Sequence, residues 1–138
     1  MITDFLTDLN WAAVVVAALV WFGFSAVWYS VPPLSKAWAE NARVDVTGDG
    51  PPLVSLLIPT FIGYLVTSTV IALIVKAIGA TTVSDAVMLG LVLGVGFGVV
   101  GALVSQLYER KGGSYWLING VNAVIAYSIV TVILTLWT

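Results

Sequence analysis

The chain has 138 residues and a formal charge of −2; 60% of its residues are hydrophobic, 9% are charged, and Cys and His are absent. A soluble domain carries about a quarter charged residues. In water this chain would expose large apolar patches, and a bilayer is the solvent that removes the difficulty. Without Cys there are no disulfides or thiolates, and without His the commonest general base and metal ligand are missing. The acidic balance leaves no basic patch for a nucleic-acid partner. No cofactor or metal site can be read from such a composition.

The first ten residues hold Asp4 and Asp8 but no Lys or Arg. They lack the positive segment of a signal sequence, and the apolar run behind them is too long for one, so the first hydrophobic segment is expected to stay as a membrane span. A hydrocarbon core of roughly 30 Å needs about 20 apolar residues in a helix. Four uncharged stretches qualify: 11–31, 53–75, 86–108 and 116–137. Helices are required, because hydrocarbon offers nothing to an exposed backbone group. The expected fold is therefore all-α, a membrane-embedded four-helix bundle forming one four-span domain over 1–138.

Span one runs into Trp28, Tyr29 and Ser30 and is stopped by Pro32-Pro33. Behind it, Leu34, Ala37, Trp38 and Ala42 recur at helical spacing after Ser35, a candidate N-cap, which reads as a short helix lying on the interface with Trp38 as anchor. The first loop then reaches Asp45, Thr47, Asp49 and Gly50. This resembles the start of a calcium loop, but Thr47 stands at the third ligand position and Leu56 where the bidentate acid belongs, so a Gly/Asp turn is the better account. Pro51-Pro52 opens span two, Gly79 follows it, and Gly112-Gly113 separates spans three and four.

Orientation follows from the basic residues of the short loops. Lys36 and Arg43 lie in the first loop and Arg110 and Lys111 in the third, against Lys76 alone on the other side. Four against one puts loops one and three in the cytoplasm and both termini outside. Trp11 and Trp137 would share the outer interface, with Trp28, Tyr29, Tyr108, Tyr115 and Trp116 forming the inner belt.

Span three carries Ala86, Gly90, Gly94, Gly98 and Ala102 four residues apart, a stripe without bulk that lets another backbone approach. A contact inside the chain, with span one or two, and a homodimer seam are both open readings. The cytoplasmic half of the spans collects uncharged polar groups: Tyr29, Tyr64, Gln106, Asn119 and Asn122 fall at one level, the asparagines with Tyr115 on one face of span four. They read either as a ligand pocket open to the cytoplasmic leaflet or as interhelical glue, worth about 0.6 kcal/mol per hydrogen bond. No Asp or Glu sits mid-membrane, although ion-coupled carriers usually need one. No Ser or Thr has a base beside it, so no catalytic residue is assigned and an enzyme is not favoured.

Trp28-Tyr29-Ser30, then Pro32-Pro33, then Lys36-Ala37-Trp38 form a signature, joined by Asn10-Trp11, Gly79-Ala80-Thr81-Thr82 and Ile118-Asn119-Gly120. With these the chain resembles the bacterial membrane family catalogued as domain of unknown function 1761, over nearly its whole length. Val31 stands where that family usually has Pro, and Ser35 replaces the Gly before Lys36. The resemblance implies a four-span protein of the bacterial cytoplasmic membrane with no assigned activity. Physically, Trp28, Lys36 and Trp38 would seat the corner at the headgroups. The reading is a protein that binds or moves a small amphiphile or lipid through the cytoplasmic pocket, with membrane lipids as partners. The alternative is an accessory or structural subunit that packs against a partner protein or a second copy through the glycine stripe.

Overall fold

The computed structural model describes residues 1–42 and 53–137. Arg43, the turn holding Asp45 and Asp49, and Pro51-Pro52 lie outside them. The chain is all-helical among the described residues, with four helices long and apolar enough to cross a membrane: Trp11–Ser30, Ser55–Ile78, Val83–Tyr108 and Gly113–Leu136.

Each span starts and stops on local chemistry. Asn10 opens span one, its Oδ1 accepting from the Ala13 N–H at 3.2 Å, which occupies one of the backbone donors a helix start leaves open. Span one ends at Ser30, and Val31 is extended (φ −65°, ψ 122°), as the residue before a proline is biased to be. Pro32 opens the corner helix, Pro32–Ala42, at the position where its missing N–H costs nothing. That helix thus begins three residues before Ser35, which is not its cap. Span three begins sooner than its apolar run, because Thr82 and Asp85 form a reciprocal capping box. A further short helix, Ile2–Thr7, packs on the far end of span two.

The turns after span two and after span three use the same closure with different residues. After span two, the Ala80 N–H reaches the Val75 carbonyl (3.2 Å) and the Gly79 N–H that of Lys76 (3.3 Å), with Gly79 at φ +67°. After span three, the Lys111 N–H reaches Gln106 O (3.2 Å) and the Arg110 N–H reaches Leu107 O (3.1 Å), with Arg110 at φ +56°. Such a closure favours Gly at the left-handed position, and a side chain there costs roughly 1 kcal/mol. Arg110→Gly is therefore expected to raise the unfolding free energy by about 0.5–1 kcal/mol. A denaturant titration in mixed micelles showing a loss instead would mean that the guanidinium supports the turn.

Span four is the hub. It packs against spans one, two and three and under the corner helix, while span three rests chiefly on span four. Spans one and four run antiparallel in one register along their length. Asn10 Nδ2 donates to Trp137 O (3.3 Å) at the end carrying the termini, and Tyr29 and Asn119 meet near the other. Between them Trp21 is buried where three helices converge. Its indole stacks on Tyr64 of span two (4.6 Å, 14°) and meets the edge of Tyr127 of span four (5.1 Å, 62°). Val14, Ile71, Val130 and Leu134 complete the core around it.

The nearest neighbours of the glycine stripe belong to span four, not to span one or span two. A Cβ built on Gly90 would stand 2.5 Å from Ser128 Cα, on Gly94 2.9 Å from Val124 Cα, and on Gly98 2.7 Å from Ala123 Cβ. Buried Thr131 adds a bond from its hydroxyl to the Ala86 carbonyl (2.7 Å). Residues Gly94–Val99 form a π-helical segment within the otherwise α-helical span. In an α-helix each fourth residue overshoots a full turn by about 40°, so a strict four-residue stripe winds off its partner. A wider π turn winds it back, and Gly98 stays against span four.

Candidate functional site

The end of the bundle carrying the first and third loops gathers the polar side chains of spans one, three and four. Tyr29 donates its hydroxyl to Asn119 Oδ1 at 2.5 Å. Roughly one turn deeper, buried Asn122 donates to Ser25 Oγ at a long 3.5 Å. Both pairs bridge spans one and four, and they follow from sequence spacing: Ser25 and Tyr29 are one turn apart on one helix, Asn119 and Asn122 on the other.

The corner helix covers this level. Trp38, half-buried, stacks on Tyr115 (6.0 Å, 30°) and meets Tyr29 edge-on (5.8 Å, 64°). Lys111 Nζ stands 5.8 Å over the Tyr115 ring. The sequence Lys111, Tyr115, Trp38, Tyr29, Asn119 is thus a continuous stair of aromatic and polar contacts from the third loop into the bundle. Lys36, on the same helix as Trp38, is exposed.

Tyr64 sits otherwise than the asparagines: its ring belongs to the Trp21 cluster. Gln106 lies near the end of span three, and among the described residues no hydrogen bond joins it to Asn119 or Asn122. Its Oε1 is buried with no partner, and so are the indole nitrogens of Trp28 and Trp116. One unmatched acceptor and two unmatched donors therefore occur in residues at this end, while the buried hydroxyls of Ser68 and Thr135, also without a partner, lie elsewhere in the bundle. From Trp116 an apolar groove of about 260 Å³ runs outward along span four, walled by Val99, Leu117, Gly120 and Val121.

Trp21, Ser25 and Tyr127 are the participants that sequence patterns did not single out. Ser25 could have been found from its one-turn spacing to Tyr29. The two aromatics could not, because an aromatic in an apolar span has no periodic signal separating a core ring from a lipid-facing one.

Residues 12–135 match the model of a protein family described as "Protein of unknown function (DUF1761)". The chain belongs to that family. No curated protein and no solved structure matches it. The family has no assigned activity, so its membership confirms the resemblance carried by Trp28, Lys36 and Trp38 and assigns no chemistry to them. With four spanning helices and this family, the protein is a multi-pass integral membrane protein. At Gly90, Gly94 and Gly98 the nearest neighbours of the glycine stripe belong to span four of the same chain.

Proposed function

We propose that the protein binds or moves a small amphiphile or lipid through the polar cluster at the loop end, and that this end faces the cytoplasm in a bacterial inner membrane with both termini outside, a reading supported by the excess of basic residues in loops one and three. The observation that carries this reading is the unmatched set of Gln106 Oε1, Trp28 Nε1 and Trp116 Nε1. A buried polar group without a partner costs about 1–3 kcal/mol, and a bound head carrying both donors and acceptors would remove that cost. The apolar groove leading away from Trp116 suits the tail of the same molecule. Asn119 and Asn122 already have partners on span one and hold the walls together.

Gln106 separates a site from glue. Protein released from native membrane into a mass spectrometer should carry a bound amphiphile that Gln106→Leu reduces at least ten-fold. The unfolding midpoint of the variant should stay level or rise, because an unpaired acceptor has gone. Asn122→Leu should lower stability by about 1 kcal/mol, since Ser25 would be left buried and unpaired. An unaltered complement of bound molecules in Gln106→Leu would overturn the reading.

A further inference from the structure

The opposite end of the molecule holds a second cavity, independent of the loop-end cluster. It measures about 240 Å³ and opens where the first residues of span one meet the last turns of spans two and four. Ala13, Ala72, Leu134 and Trp137 give it apolar walls, and Asp8, Asn10 and Lys76 supply polar groups. The small side chains of Ala13 and Ala72 leave the space open at a level where Asn10 and Lys76 also converge.

The donors at this cavity are only partly engaged. An ammonium has three N–H donors; that of Lys76 makes one hydrogen bond, to the Asp8 carbonyl at 3.1 Å. The Asp8 carboxylate lies 3.9 Å away, beyond hydrogen-bond reach, and its side chain is 71% exposed, against 34% for Lys76. Asn10 Nδ2 has two N–H donors and directs one to Trp137 O at 3.3 Å. Among the described residues, two cationic N–H groups and an amide N–H thus remain beside the hollow, and the Asp8 carboxylate there is loosely held and solvated.

We propose that this cavity takes the oxyanion head of an amphiphile, a phosphate or carboxylate, from the leaflet at the end carrying the termini. Lys76 Nζ and Asn10 Nδ2 donate to the oxyanion. Ala13, Ala72, Leu134 and Trp137 cover the apolar part next to it. The cavity is below the roughly 300–1,000 Å³ of a site that engulfs a whole ligand, so it accommodates the head and the first carbons while the tail stays in the bilayer.

The test compares phosphatidic acid with diacylglycerol, which has the same tails without the phosphate. Each is added to the full-length protein in a non-ionic detergent and retention is read by native mass spectrometry. The expected result is one phosphatidic acid held per chain under conditions where diacylglycerol is lost. Lys76→Met should weaken retention at least ten-fold and Lys76→Arg should keep it. Ala72→Leu, which fills the hollow without changing a charge, should also lose it, so the outcome does not hang on one variant that might fail to fold. Gln106→Leu at the other end should leave retention unchanged. Equal retention of diacylglycerol, unaltered retention in Lys76→Met, or a lipid lost only in Gln106→Leu would each overturn the proposal. Inorganic phosphate displacing phosphatidic acid at equal concentration would identify a free-anion site instead and overturn it too.

Discussion

Gly90→Leu is expected to lower the unfolding free energy by about 3 kcal/mol or more. The Cβ alone would stand 2.5 Å from Ser128 Cα and 2.7 Å from Thr131 Oγ1. A main-chain atom cannot rotate aside, so spans three and four must separate. Separation also breaks the Thr131–Ala86 bond and the close approach at Gly94 and Gly98. Since helices in lipid associate through packing and hydrogen bonds, without a hydrophobic force between them, little else holds span three in place. Gly63→Ala is the control, because a Cβ there meets nothing within 4 Å. Replacing a helical glycine by alanine should leave stability level or raise it by about 0.5–1 kcal/mol. Denaturant titration of both variants in the same micelles checks the contrast. Equal midpoints for Gly90→Leu and the parent would mean that spans three and four are not packed through the stripe.

Trp21→Ala is expected to cost about 3–5 kcal/mol, the range for removing a large buried aromatic. Trp21 is 7% exposed and joins span one to Tyr64 of span two and Tyr127 of span four. Its loss opens a void among three helices that no single side chain can collapse into. Trp21→Phe keeps an aromatic against both tyrosines and should recover more than half of the loss. Trp11→Ala offers the comparison: Trp11 is 47% exposed, and its loss should move stability by less than about 1 kcal/mol. If both Trp→Ala variants cost the same, Trp21 is not the central packing residue.

Much of the candidate site could be read from sequence because polar residues are rare in these spans and helix geometry assigns them depth. Tyr29, Gln106, Asn119 and Asn122 stand near one end of the bundle for that reason. Depth says nothing of azimuth. Tyr64 therefore turned out to stack in the Trp21 cluster, and Gln106 not to bond with the asparagines. The cavity around Lys76 was invisible for a related reason. Asn10, Ala72, Lys76 and Trp137 come from three separate segments, and only the antiparallel register of spans one and four brings Asn10 to Trp137.

By itself the sequence determined four membrane helices, where they break, and one flat face on span three. Length, apolarity, proline, glycine and caps are local properties, and hydrocarbon enforces helices wherever they occur. The tertiary structure decided which helix fills that face. Four-residue spacing of small side chains states that some backbone can come close. It does not state whose, and the choice of span four depends on Ser128, Val124 and Ala123 lying at matching heights on the neighbouring helix, with a π turn keeping the last glycine in line.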